Sequence, residues 1–381
     1  MNRRGRRTQE KKARRSGGGA AGFDAHTAFN QAVGLHQAGD LAGARRLYEQ
    51  ILAVADSAQV ECNYGALLRS QGLPEEALLH FEAALRQKED FPEAWSGKAN
   101  ALRDLAAFEE SVLAYGRAVE LRPNFYEALA NMGTLLQGLG HYKAAEEALA
   151  RAAALKPGYT NTMFQLAALR GTSDTMTPAA YTRSLFDSYA DRFDTHLQES
   201  LGYDAPSRLY ASVTRDAGEE PHGWAIADVG CGTGLCGIRF RPLARTLTGI
   251  DIAPRMIDKA RERGIYDELV VGEAAEALRT HTQTLDLIVA GDMLIYCGDG
   301  DGIFAAVAQS LKSGGRFAFT VEEIPGDSFL LRPTARFGHS AAYLQQLADR
   351  HGLRITQTER FTLRREHDGP VPGLLHVMTR T

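Results

Sequence analysis

The hydrophobic pattern changes period twice along the chain. From about Ala25 to Pro157 it repeats. Small residues return as Ala44, Ala77, Ser111 and Ala145, at steps of 33, 34 and 34. Four positions after each stands Tyr48, Phe81, Tyr115 or Leu149, and five before it Gly39, Gly72, Ala106 or Gly140. Trp95 opens the third unit, and Pro123 and Pro157 close the last two. This is the pattern of a helix–turn–helix unit. The small residue lets two antiparallel helices approach, the aromatic fills the gap to the next helix, glycine makes the turn and proline stops the second helix. One unit cannot bury its own apolar face, so units stack. A helix at about Tyr159–Leu169 is expected to cap the stack.

Gly171 to Pro178 is a turn-rich break and a candidate linker. After it, Phe186, Tyr189, Ala190, Phe193 and Leu197 lie on one helical stripe. Beyond Ala225 short apolar runs alternate with helical patterns. The expected strands are the run ending at Asp228, then Thr246–Ile250, Glu268–Val271, Leu285–Ala290 and Arg316–Val321, with Leu311 to Gly315 a helix end and tight turn into the last. This alternation predicts a parallel sheet covered on both faces, with ligand at the carboxyl ends of the strands. Arg354–Leu363 and Gly373–Thr379 are too close together for a crossover helix and should pair antiparallel.

Composition narrows the classes. Of 381 residues, 44% are apolar, enough for two domains. No apolar run reaches 18 residues, and no apolar segment follows the basic start, so neither a membrane span nor a secretory signal is expected. Four cysteines do not make a disulfide framework and fit a reducing, cytoplasmic location. Cys231 and Cys236 have no second Cys/His pair to complete a zinc site. The net charge of −4 is uneven: residues 1–20 carry +7 and the remainder −11. The basic tail reads as a solvated segment rather than a contact for nucleic acid or anionic lipid, and the acidic body argues against a duplex-binding protein.

The 34-residue pattern resembles the tetratricopeptide repeat. Four units are legible, although Lys98 and Ala99 stand where that family has Leu-Gly, and the first two units lack the closing proline. The resemblance implies an all-α solenoid whose concave face binds a protein or peptide. The expected domains are a basic tail (1–22), a repeat domain of about four units plus a capping helix (23–170) and an α/β domain with amino-terminal lid helices (171–381).

The chemistry is concentrated in Asp228-Val229-Gly230-Cys231-Gly232-Thr233-Gly234, an apolar strand running through an acid into glycines. Glycine at alternate positions tolerates φ > 0 and leaves no Cβ where a ligand lies against the backbone. Asp251 closes the second strand, where a carboxylate can accept from both ribose hydroxyls. Ile252 beside it can lie flat on an adenine. Glu273, after the third strand, could accept from an adenine amine, and Asp292 follows the fourth. Gly232-Thr233-Gly234-Leu235-Cys236-Gly237 also satisfies the dinucleotide fingerprint, so NAD binding has to be weighed. The earlier start of the glycine run, the Gly272-Glu273-Ala274 corner and the terminal strand pair lean against it.

Residues 180–381 resemble the class I S-adenosylmethionine-dependent methyltransferases. The resemblance implies a doubly wound, seven-stranded Rossmann-like sheet with a reversed last strand. Asp228, Gly230, Cys231, Gly232 and Gly234 would wrap the methionine part of S-adenosyl-L-methionine. Asp251 would hold the ribose, Ile252, Glu273 and Ala274 the adenine, and Asp292 would begin the fourth motif. Glu273 stands where Asp is commoner. The whole chain is similar to bacterial proteins that fuse tetratricopeptide repeats to such a domain.

A sulfonium methyl is already electrophilic, so alignment and exclusion of water come first, and a base is needed only for a protonated nucleophile. His339, Tyr189 and Asp292 are the catalytic candidates, and His196, Arg336 and His339 the substrate-binding ones. The chain has no Asp/Asn-Pro-Pro-Tyr after the fourth strand, no Pro-Cys at an attack site and no spaced acidic pair around Glu322-Glu323. That leaves a small molecule or a protein side chain as acceptor. Two readings stay open: an active methyltransferase whose repeats recruit a substrate or partner, and a non-catalytic S-adenosylmethionine-binding or interaction scaffold.

Overall fold

The structure, a computed structural model, describes residues 24–172, 177–190, 193–195, 203–215, 223–366 and 369–381. Two compact units divide at Leu135/Leu136. Among the described residues no helix is long and apolar enough to cross a membrane.

The first unit is built of helix pairs: α1 (Ala25–Gln37) with α2 (Leu41–Val54), α3 (Ala58–Ser70) with α4 (Pro74–Gln87), and α5 (Pro92–Asp104) with α6 (Phe108–Leu121). It ends within α7 (Tyr126–Gly138). The periodic positions do what their spacing predicts. Ala44, Ala77 and Ser111 are fully buried between paired helices, and Tyr48, Phe81 and Tyr115 are buried beside them. Ser111 keeps the small position by donating its hydroxyl to the Ala99 carbonyl at 2.7 Å. The turn positions are left-handed throughout: Gly39 at φ 85°, Gly72 at 77°, Gly140 at 78° and Ala106 at 58°. Ala106 therefore holds, with a Cβ, a conformation that favours glycine.

The second unit opens with α8 (Tyr142–Leu155) and α9 (Thr160–Arg170), which pack against each other. The division precedes the 171–178 break because α9 joins the core that follows. Its Phe164 and Ala168 cluster with Leu331, Ala335 and Phe337, and Gln137 donates to the Pro333 carbonyl at 2.8 Å. Next come α10 (Ala179–Tyr189), a helical turn at Phe193–Thr195, and α11 (Ala205–Thr214).

The sheet domain then runs β1 (Trp224–Val229), α12 (Leu235–Phe240), β2 (Ala244–Asp251), α13 (Pro254–Glu262), β3 (Glu268–Val271), α14 (Ala274–Leu278) and β4 (Leu285–Ala290). It continues with α15 (Asp301–Ser310), β5 (Leu311–Glu323), β6 (Phe329–Leu331), β7 (Phe337–His339), α16 (Ala341–Arg350), β8 (Leu353–Glu366) and β9 (Gly369–Arg380). Five strands are parallel in the order β3-β2-β1-β4-β5. Reversed β9 pairs with β5, and β8 pairs with β9, which completes the expected seven. Side chains alternate between two cores. Ala225, Ala227 and Val229 face α15 and α16, while Ile226 faces α11 and α12.

One detail departs from the sequence reading. The Lys312–Gly315 segment is a bulge inside β5, because Leu285 pairs with Leu311 but Leu287 with Arg316. Beyond the five parallel strands, Arg336 and His339 belong to a hairpin, β6 and β7, which is added to β5.

Candidate active site

The glycine loop leaves β1 with Gly230, Gly232 and Gly234 at φ 68°, 54° and 100°. The amides of Gly230 and Cys231 both donate to the Ile250 carbonyl, at 2.8 and 3.0 Å. A Cβ on Gly230 would lie 2.6 Å from Met293 Cγ, so the loop packs directly on the residue after Asp292. Asp251, at the end of β2, fixes the loop from the other side. Its Oδ2 accepts from the Gly232 amide at 2.9 Å and its Oδ1 from the Ala253 amide at 2.8 Å. Burial raises the pKa of this carboxyl, and the two amides oppose the rise.

Asp228 supports the loop rather than lining the cleft. It is 1% exposed, and its Oδ2 accepts from the Tyr266 hydroxyl at 2.7 Å. Burial pushes its pKa up to about 7, against the pull of that hydrogen bond. Direct contact with a cofactor, as read from the sequence, is not available to it here. Tyr266 itself escaped the sequence reading. A Cβ on Gly237 would sit 2.2 Å from its hydroxyl oxygen, and one on Gly249 would sit 2.9 Å from its ring. The third glycine of the apparent dinucleotide fingerprint thus admits a tyrosine.

Ile252 is half-buried after β2, Glu273 is exposed after β3, and Ala274 opens α14. The apolar stripe read as one helix is divided between α10 and the turn at Phe193–Thr195, with Leu197 outside the described residues, and α10 packs against the segment after β2. The Arg255 amide donates to Asp187 at 3.0 Å, and Arg183 donates to the Ile252 carbonyl at 3.3 Å. Phe186 meets Phe193 and Tyr296 edge-on, with centroids 6.0 and 5.1 Å apart. Tyr189, half-buried, meets Phe193 at 5.6 Å. Asp194 accepts from the Thr233 hydroxyl and pairs with Arg263, which latches this turn to the glycine loop. His196 lies outside the described residues.

At the ends of β4 and β5 the charges converge. Asp292 has φ 54°, uncommon for a residue with a Cβ. Its amide donates to Thr320 Oγ1 at 2.8 Å, and that hydroxyl donates back to Asp292 Oδ1 at 2.9 Å. Burial raises its pKa, with Arg364 the main opposing influence. Glu322 is wholly buried and takes Arg332 at 2.5 Å and Arg364 on its other oxygen. Arg364 Nη1 stands 3.7 Å from Asp292 Oδ2. A register shift at Thr362/Arg364 turns Leu363 and Arg364 inward together, the usual effect of a bulge. Arg336 is half-buried, and its charge acts on Asp292 and Tyr181.

His339 is the second correction. It is 2% exposed in β7, its Nε2 lies 3.2 Å from the Gly298 carbonyl, and its ring stacks on Tyr343. Burial lowers its pKa to about 4. It is a neutral core imidazole that holds the 297–299 segment and reaches no substrate.

Residues 226–315 match the methyltransferase domain family, and residues 92–125 and 126–159 each match the tetratricopeptide repeat. The chain joins tetratricopeptide repeats to a methyltransferase domain.

The methyltransferase domain is 33% identical over 128 residues to aklanonic acid methyltransferase DauC of Streptomyces sp. strain C5, covering 31% of this chain and 57% of that one. It is 32% identical over 111 residues to the ubiquinone biosynthesis O-methyltransferase of Xanthomonas axonopodis pv. citri, covering 28% and 46%. The chain thus spans about half the length of these curated relatives. Among solved structures, magnesium protoporphyrin IX methyltransferase from Synechocystis, crystallised with SAH, aligns at 17% identity and a TM-score of 0.43, covering 53% of this chain and 99% of that one. The matched segment holds the glycine loop, Asp251, Ile252, Glu273, Ala274 and Asp292. It excludes α10, Arg332, Arg336, His339 and Arg364.

Proposed function

We propose that the protein is an S-adenosylmethionine-dependent methyltransferase acting on an oxygen nucleophile, with its repeats recruiting a protein or peptide partner. The observation that carries this reading is Asp251, whose two carboxylate oxygens are set by Gly232 and Ala253 at the mouth of the glycine loop. The residues fit the cofactor. The loop 230–234 offers backbone without side chains, Asp251 has lone pairs remaining for ribose hydroxyls, Ile252 and Ala274 offer apolar surface, and Glu273 stands at the adenine end. The two curated relatives named above, an acid methyltransferase and an O-methyltransferase, support the choice of oxygen.

The cofactor supplies an electrophilic methyl group. This chain contributes orientation, exclusion of water and a proton acceptor. Phe186, Phe193 and Tyr296 form an aromatic cover with α10, which keeps solvent from the strand ends. Asp292 is the proton acceptor for a hydroxyl nucleophile, since burial makes its carboxylate more basic than an exposed one. Thr320 holds Oδ1 and leaves Oδ2 toward Arg364. The repeats offer a cleft of about 250 Å³ whose lining includes Asn63, Arg69, Asn100 and Phe125.

Calorimetry with S-adenosylmethionine, followed by labelled methyl transfer into cell extract, tests the proposal. One-to-one binding followed by label in an acceptor is the expected result. Binding with no labelled acceptor under any condition would leave a sensor or scaffold, and NADH binding in its place would leave a reductase.

A further inference from the structure

The glycine loop spends its amides on the protein. Gly230 and Cys231 donate to the Ile250 carbonyl, Gly232 to Asp251 Oδ2 at 2.9 Å, and Gly234 to the Cys231 carbonyl at 2.9 Å. Four of the five amides from 230 to 234 are therefore turned inward. An anion held by such a loop needs N–H groups pointing at it. What remains is acceptors. Among the described residues the Gly232 carbonyl takes nothing stronger than the Cys231 thiol at 3.8 Å. The amino-acid end of S-adenosylmethionine carries an ammonium and a carboxylate, and a surface of acceptors suits the ammonium.

A carboxylate stands at the same place. The turn Phe193–Thr195 lies on the loop, with a Phe193 ring carbon 3.6 Å from where a Cβ on Gly232 would be. The next residue, Asp194, accepts from the Thr233 hydroxyl on Oδ1 and from Arg263 on Oδ2. Arg263 is fixed in turn by its Nε on the Thr233 carbonyl at 2.5 Å. Earlier in the segment, the Arg255 amide donates to Asp187 Oδ1 at 3.0 Å and its guanidinium to the Asp187 carbonyl at 2.9 Å. Arg255 lies in the first turn of α13 and Arg263 follows its last residue, so both ends of that helix anchor the segment.

The other acids at the loop have tasks of their own. Asp228 is 1% exposed and bonded to Tyr266, and Asp251 faces the ribose in the proposed site. Asp194 keeps 38% of its side chain exposed. A carboxylate offers about four acceptor positions. Asp194 uses one on each oxygen among the described residues, which leaves room for a further donor.

We infer that Asp194 binds the α-ammonium of the cofactor, beside the acceptor surface of residues 230–234. The cofactor site then extends outside the matched methyltransferase segment, 226–315. The inference rests on reading the glycine loop as the seat of the cofactor.

The test is calorimetry on the full chain with three ligands. The first is S-adenosylhomocysteine. The second is the aminopropyl thioether of adenosine, which keeps the ammonium and lacks the carboxylate. The third is the carboxypropyl thioether, which keeps the carboxylate and lacks the ammonium. Asp194→Asn should weaken the first two by about tenfold or more, the loss of one charged hydrogen bond. It should leave the carboxypropyl ligand unchanged within about twofold, or bind it more tightly, because a repelling charge is gone. That arm also reports that the nucleoside pocket is still folded. Equal weakening of all three ligands would make Asp194 a brace of the turn and overturn the inference, as would an unchanged affinity of Asp194→Asn for S-adenosylhomocysteine. Failure of the wild type to bind any of the three would instead remove the cofactor reading, and the inference with it.

Discussion

Asp228→Asn should stabilise this protein above neutral pH and remove part of its pH dependence. Asp228 is 1% exposed, takes one hydrogen bond from Tyr266, and has a second oxygen with no partner among the described residues. Burial raises its pKa to about 7, against about 3.9 in an unfolded chain. The folded state binds this proton more tightly, so stability falls as pH rises from about 4 to 7 and is level above. The full penalty above pH 7 is at most roughly 4 kcal/mol. Asparagine still accepts from Tyr266 and carries no charge, but leaves an amide N–H₂ beside the second position, which costs roughly 1–3 kcal/mol. The net gain at pH 8 is then about 1–3 kcal/mol, or several degrees in Tm for a unit of this size. Urea unfolding of parent and variant at pH 5, 6, 7 and 8 measures the difference, in which other titrating groups cancel. The variant should gain on the parent as pH rises. A constant difference across that range, or a variant less stable at pH 8, would refute the account of this carboxyl.

Gly237→Ala should destabilise by roughly 2–4 kcal/mol, because its methyl would displace the Tyr266 hydroxyl and strip Asp228 of its partner. Combined with Tyr266→Phe in a double-mutant cycle, its cost should be clearly less than additive. Ala106→Gly should stabilise the repeats by about 0.5–1 kcal/mol, the left-handed strain at φ 58° outweighing the added freedom of the unfolded chain, as read by thermal unfolding. His376, buried and held by Thr358, has its pKa lowered by burial to about 4. Its stabilising contribution is present above pH 6.5 and is lost as pH falls toward 4, so His376→Gln should flatten acid unfolding by up to roughly 3 kcal/mol relative to the parent. Asp251→Ala should weaken S-adenosylhomocysteine binding by about 1.5–3 kcal/mol in calorimetry, and unchanged affinity would remove Asp251 from the site.

The repeats were legible because each of their constraints is local. A small residue, an aromatic four later and a turn five before are fixed by the geometry of one helix pair, and Ala44, Ala77, Ser111 and Ala145 are all buried as their spacing requires. The parallel strands were legible for a similar reason, since two covered faces demand continuous apolar runs. Tyr266 was not legible. Its importance arises where Gly234, Gly237 and Gly249 from three segments leave one hole, and nothing in its neighbours along the chain marks that. Arg364 sits in a strand whose other arginines face water, and only the bulge after Thr362 turns it inward. His339 was a candidate because it follows the fifth strand. A three-residue strand pair too short to show alternation buries it instead.

The most direct test of the central claim is a structure of the full chain bound to S-adenosylhomocysteine. The account predicts the ribose hydroxyls on Asp251, the amino-acid portion against residues 230–234, and the thioether sulfur turned toward Asp292. A nucleoside bound elsewhere, or the loop closed on itself under saturating ligand, would contradict it.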